Sequence, residues 1–108
     1  MSNDLDPASS TTSRWLDRTA AILSFIIPLA MYTLSLAPTV TLEDSGELLT
    51  AACNLGIPHP PGYPLWCLLA HPFTWIPIGS IAERVHFFDA LCGAGACLMV
   101  QRIGVRLG

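Results

Sequence analysis

The chain has 108 residues, of which 52% belong to the apolar AVILMFWYC set and only 12% are charged, and its mean hydropathy is +0.52. Globular chains carry about twice that charged share, so the surface of a small soluble domain could not be covered and a membrane protein is indicated instead. The net charge is −3, lysine is absent, and the five arginines (Arg14, Arg18, Arg84, Arg102, Arg106) form no patch dense enough for a phosphate backbone, which excludes a nucleic-acid partner.

Residues 1–14 are polar, rich in Ser, Thr and Asp, and lack apolar periodicity. They are expected to form a disordered tail. Trp15, between Arg14 and Arg18, suits an anchor at a membrane interface. No charged side chain occurs from Ala20 to Leu42, a run of about 23 residues, enough for one helical span. The first transmembrane helix is placed at 15–37, with Pro28 tolerated inside it and Pro38 ending it. A signal peptide competes for the same stretch, because Ser35-Leu36-Ala37 resembles a small-x-small cleavage site. The apolar run is long for that role, and Pro38 would follow the cut directly, so the retained anchor is favoured.

Residues 38–80 read as a loop with short helical pieces. Leu48, Leu49, Ala51, Ala52 and Leu55 fit one apolar helical face, with Gly56 and Pro58 as the stop. Pro58-His59-Pro60-Pro61-Gly62-Tyr63-Pro64 cannot lie inside a helix and predicts a stiff polyproline-like or turn segment. Leu65–Ile78 is apolar but short, and Pro72 and Pro77 divide it, which suits a re-entrant or interface-lying helix. Ser80 and Glu83 are spaced as a capping box for the next helix. The second transmembrane helix is placed at 81–104, where Ala90, Gly93, Ala94, Gly95 and Ala96 offer a small-residue face for close packing. Residues 105–108 then end the chain. Four arginines flank the outer ends of the two spans, so the positive-inside rule puts both termini in the cytoplasm and 38–80 outside.

Within the loop, Glu43, Asp44 and Glu47 are the residues most in need of a reason. Asp44-x-x-Glu47 has capping-box spacing, and Thr41 with Asp44 gives an overlapping version. The functional alternative is a partly desolvated carboxylate at a polar cavity, with its proton affinity raised for general-base work. The proline-dense segment after it favours a loop held in one shape, as a binding site needs. Cys53, His59, Cys67 and His71 lack the paired close spacings of zinc modules, so no metal is expected. Cys92 and Cys97 lie on different helical faces, a poor geometry for a disulfide, and all four cysteines read as small apolar residues. His86 and Asp89, three apart in the second span, are expected to pair with each other or with a further helix.

Taken in order, Thr33-Leu34-Ser35-Leu36-Ala37-Pro38-Thr39-Val40-Thr41, Asp44-Ser45-Gly46-Glu47-Leu48, Gly56-Ile57-Pro58-His59-Pro60-Pro61-Gly62-Tyr63-Pro64-Leu65 and Arg84-Val85 carry a family resemblance. The series resembles the amino-terminal signature of a membrane family long catalogued as a domain of unknown function, which includes eukaryotic protein O-mannosyltransferases and belongs to the GT-C superfamily. The resemblance implies an all-α fragment of a GT-C-like fold, with two transmembrane helices joined by an extracytoplasmic loop of membrane-parallel helices. It implies glycosyl transfer, mannosyl among the options, from a polyprenyl-phosphate sugar to an acceptor hydroxyl, with no cofactor. On this reading Asp44 is the base and Glu47 a second carboxylate orienting acceptor or sugar. His59 and Tyr63 contact substrate, and Arg84 pairs with the departing lipid phosphate. His86 stands where the family favours asparagine, and Asp89 where a small polar residue is usual. Family members have many further spans, so this chain is expected to hold an incomplete site and to be inactive alone, with membrane lipid around it and further helices from another chain as partners. The alternative is a non-catalytic membrane subunit or interaction protein that keeps the hairpin, and a cleaved signal peptide with a secreted remainder ranks below both.

Overall fold

The computed structural model describes residues 7–40 and 44–107, with side chains from residue 12 onward in the first helix. Four α-helices follow one another: α1 (Pro7–Leu34), α2 (Ser45–Asn54), α3 (Pro64–Ala70), continued by a 3₁₀ turn over His71–Trp75, and α4 (Ile81–Leu107). No strand occurs among the described residues. The long helices α1 and α4 pack side by side as a hairpin, and the short elements form a cap on its loop end.

Helix α1 starts earlier than composition suggests. Residues 7–14, expected within the tail, are helical, because Pro7 brings the φ that a first helical position needs and the long helix behind it propagates cheaply. Residues 1–6 lie outside the described set. The helix runs through Pro28 and stops at Leu34, short of the expected 37. There the Ser35 hydroxyl donates to the Met31 carbonyl at 2.8 Å, a side-chain bond that competes with continued helix. Thr12–Leu34 and Ile81–Leu107 are both long and apolar enough to cross a membrane. Both outer surfaces are apolar and exposed, with Ile22, Leu23, Ile26, Ile27 and Met31 on α1 and Met99, Val100 and Ile103 on α4.

The expected small-residue face of α4 is narrower than the sequence suggests. Ala90 and Ala94 are buried, and Gly93 lies so close to Tyr32 of α1 that a Cβ there would sit 2.8 Å from the ring. Gly95 faces open space and Ala96 is exposed, because at 100° per residue a run of four cannot share one face.

The cap holds the small core. Leu49 and Ala52 of α2, Ala70 of α3, and Ala82, Val85 and Phe88 of α4 are buried together, with Trp66 and Phe73 packed against them. The Phe73 and Phe88 rings are 5.1 Å apart between centroids. His71 Nδ1 donates to the Ala52 carbonyl at 2.7 Å and ties the 3₁₀ turn to α2. Pro72 divides the Leu65–Ile78 segment as expected, between α3 and the 3₁₀ turn. The Ser80–Glu83 capping box forms in full: the Ser80 N–H donates to Glu83 Oε2 at 2.6 Å and the Glu83 N–H to Ser80 Oγ at 3.2 Å. Ser80 Oγ also donates to the Pro38 carbonyl at 2.9 Å, joining the segment after α1 to the start of α4.

Candidate functional site

Helix α2 and the turn after it build the site. The helix ends with Leu55 in the left-handed region at φ 51° and ψ 39°, and the Gly56 N–H returns to the Ala51 carbonyl at 2.9 Å. This is a Schellman-type ending with leucine, rather than the expected glycine, at the strained position. The chain then reverses in a tight turn at His59–Gly62, closed by the Gly62 N–H on the His59 carbonyl at 2.9 Å. The Pro60–Pro61 peptide is cis. Of the two forms expected for this proline segment, the turn is the one present. Gly62 and Tyr63 both take positive φ, 88° and 40°, on the way into α3.

That reversal lays His59 against α2. Glu47 accepts the His59 backbone N–H at 2.6 Å through Oε1 and the ring Nδ1–H at 3.0 Å through Oε2. On the other side of the ring, His59 Nε2 lies 3.8 Å from Asp44 Oδ2. Tyr63 meets the imidazole edge-on, with ring centroids 6.1 Å apart. The hydrogen bonds from His59 hold the Glu47 carboxyl below its ordinary value of 4.5. The Glu47 hydrogen bond, aided by the charges of Asp44 and Glu47 and opposed by partial desolvation, raises His59 above 6.5. The two shifts describe one pair, stabilised as carboxylate and imidazolium.

The capping reading of Asp44 and Glu47 is corrected by this geometry. Asp44 stands at the N-cap position with helical angles (φ −74°, ψ −9°) and makes no side-chain capping bond. Glu47 is turned away toward His59. A side chain that can accept two bonds from one neighbour, one of them charge-assisted, gains more there than from a single backbone N–H. The Thr41 version of the box and Glu43 lie outside the described residues.

The expected desolvation of Asp44 is also absent in this chain: its side chain is 63% exposed. A cleft of about 340 Å³ lies one turn away, lined by Glu47, Thr50, Asn54, Ile57 and Pro58 among others. The donor atoms of Asp44, Glu47 and His59 all lie within 4.8 Å of one another, close enough to share a cation. The Cys53, His59, Cys67 and His71 set does not come together among the described residues, and the cysteines are free thiols.

Arg84 is engaged elsewhere. Its guanidinium donates to the carbonyls of Ile78 (2.9 Å), Thr74 (2.8 Å) and Gly79 (2.7 Å), closing the turn before α4. Three of its five N–H groups are thereby used, and two remain for an anion. Of the two pairings expected for His86 and Asp89, with each other or with a further helix, the mutual one is not formed. His86 Nδ1 bonds the Ala37 carbonyl at 3.2 Å, and Asp89 Oδ1 accepts from Trp66 Nε1 at 2.8 Å. Trp66 was not legible as a partner because it is 23 residues away; the only hint is that a carboxylate in an apolar helix needs a donor.

A family model described as the protein O-mannosyl-transferase TMEM260 N-terminal domain matches residues 44–108, beginning at the first residue of the acidic motif. The mouse protein O-mannosyl-transferase TMEM260 is 47% identical over 79 residues, covering 72% of this chain and 11% of that protein. The protein O-mannosyl-transferase tmem260 of Dictyostelium discoideum is 34% identical over 82 residues, 73% of this chain and 10% of that protein. The chain thus spans about a tenth of the length of these curated relatives. No solved structure matches it significantly.

Proposed function

The chain belongs to the family of protein O-mannosyl-transferase TMEM260 N-terminal domains, and from that premise we propose that it forms the acceptor-activating corner of a GT-C-type membrane glycosyltransferase. The donor on this reading is a polyprenyl-phosphate sugar, mannose in the first instance, and the acceptor a hydroxyl. The observation that carries it is the convergence of Asp44, Glu47 and His59 within 4.8 Å at the start of the family match.

In the proposed step Asp44 takes the proton of the acceptor hydroxyl as its oxygen attacks the anomeric carbon. The bond from that carbon to the phosphate oxygen breaks, and the lipid phosphate leaves with the electron pair. Glu47 holds His59 by two bonds, which fixes the imidazole beside Asp44, Nε2 lying 3.8 Å from Oδ2. Tyr63, packed on His59, forms part of the acceptor wall. Arg84 keeps the turn before α4 closed and offers its two remaining N–H groups to the leaving phosphate. The proposed topology has both termini in the cytoplasm and the cap at the outer surface, supported by the arginines at the far ends of the spans.

Because Asp44 is open in the chain alone, catalysis on this reading needs further helices to cover it. The same exposure is what favours the second reading, a non-catalytic membrane subunit that keeps the hairpin. Transfer of labelled mannose from a polyprenyl-phosphate donor to a hydroxyl-bearing peptide, with this segment in its full membrane context, separates the two. Asp44→Asn is expected to lower transfer about 10²- to 10⁴-fold; undiminished transfer by that variant would overturn the catalytic reading.

A further inference from the structure

The stem carries a second polar constellation. Between α1 and α4, next to the cap, a cleft of about 330 Å³ is lined by Tyr32, Leu36, Ala37, His86, Asp89 and Ala90, with Gly93 at its floor. Apolar helices carry ionisable side chains toward a cavity when something there uses them. Both polar residues are held in place with one functional atom left over. Asp89 gives Oδ1 to the Trp66 indole at 2.8 Å, and its Oδ2 has no hydrogen-bond partner among the described residues. His86 Nδ1 faces the Ala37 carbonyl at 3.2 Å, and since a carbonyl only accepts, Nδ1 carries the hydrogen, while Nε2 has no hydrogen-bond partner among the described residues. The phenol of Tyr32 likewise has no hydrogen-bond partner among the described residues.

We propose that this cleft is a sugar subsite. It takes the hydroxyls of one hexose ring through Asp89 Oδ2, His86 Nε2 and the Tyr32 phenol, and packs the ring's C–H face on Leu36 and Ala90. The inference rests on the reading of the family activity as sugar transfer, and it assigns a hexose a place next to the acidic cap, on side chains that the proposed transfer step does not use. Asp89 repels phosphates and carboxylates. A bare ammonium would be satisfied by Asp89 alone, leaving His86 and Tyr32 desolvated without partners. A polyhydroxyl ring uses all three and also has the apolar surface that the remaining walls need.

The Trp66 indole N–H, bonded to the Asp89 carboxylate, is the natural reporter. With the chain in phosphatidylcholine nanodiscs, its ¹⁵N–¹H resonance is followed by NMR as methyl α-mannoside is added, and separately as choline is added. The expected result is a saturable shift with methyl mannoside, half-complete on the order of millimolar, and no matching shift with choline. Asp89→Asn and His86→Ala should each weaken it about tenfold, and Tyr32→Phe, at a half-exposed position, a few-fold without touching the fold. No saturable shift overturns the proposal, as does an equal response to choline or mannoside binding unchanged in both His86→Ala and Tyr32→Phe. The result stands apart from the Asp44 assay: transfer lost in Asp44→Asn with no mannoside shift sinks the subsite alone, whereas mannoside binding with transfer intact in Asp44→Asn sinks the catalytic reading alone.

Discussion

The stem and the cap are held by different physics. Along α1 the apolar surface points outward, and none of its membrane-length window is buried within the chain. Its contact with α4 depends on shape, above all on Tyr32 lying against the bare backbone of Gly93. The cap has a core of six buried side chains, three of them alanines, and relies instead on polar side chains that each fasten a backbone segment. Arg84 closes the turn before α4, Glu47 holds the proline turn and His71 joins α2 to the 3₁₀ turn. A stem of this kind tolerates any apolar residue that faces outward, while a cap of this kind fails at single positions.

The sharpest challenge to that contrast is Arg84→Ala. It strips three carbonyls of a charged donor, and the cap should lose about 3 kcal/mol, read as a lowered unfolding midpoint and faster amide exchange over 74–80. Arg84→Lys should recover only part, because an ammonium cannot reach three separated carbonyls with the guanidinium's planar fork. Retained stability in Arg84→Ala would remove the distinction between the regions. Within the stem, Gly93→Ala and Gly95→Ala should diverge. The first places a methyl 2.8 Å from the Tyr32 ring and should cost about 1–2 kcal/mol. The second meets nothing within 4 Å and should gain roughly 0.5 kcal/mol from reduced backbone freedom. Equal thermal shifts would mean that α1 and α4 do not pack on this face. Leu55→Gly should stabilise the cap by about 1 kcal/mol, relieving a left-handed leucine whose side chain is half exposed. A destabilised variant would show that Leu55 is held by contacts beyond α2.

Much of this was readable from local pattern. The two apolar helices, the Ser80–Glu83 box and the proline break in 65–78 each depend on residues within a few positions of one another. What escaped depends on distance along the chain. Asp44 and Glu47 have the spacing of a capping box, but a turn twelve residues on from Glu47 offers two donors at once, and no local rule foresees that competition. Arg84 reads as a wholly free anion partner, but the 74–79 backbone folds around it and takes three of its five N–H groups. His86 and Asp89 share a helix face, yet each bonds a group brought from another element. The Asp44–Glu47–His59 cluster was legible as residues, through the family resemblance, while its internal wiring was not.

The acidic helix and the proline turn form one latched unit presenting Asp44. A raised His59 pKa contributes stability that is complete below 6.5 and lost as pH rises through the folded value. A lowered Glu47 pKa contributes stability present above 4.5 and lost as pH falls through the folded value. The latch is therefore fully formed between these two ordinary values, and it loosens as pH rises through the folded value of His59 or falls through that of Glu47. Titration of the His59 ring by NMR, in the chain and in Glu47→Gln, tests this directly. The expected midpoint lies above 6.5 in the chain and falls toward that value in the variant; the same ordinary midpoint in both would mean that no latch forms.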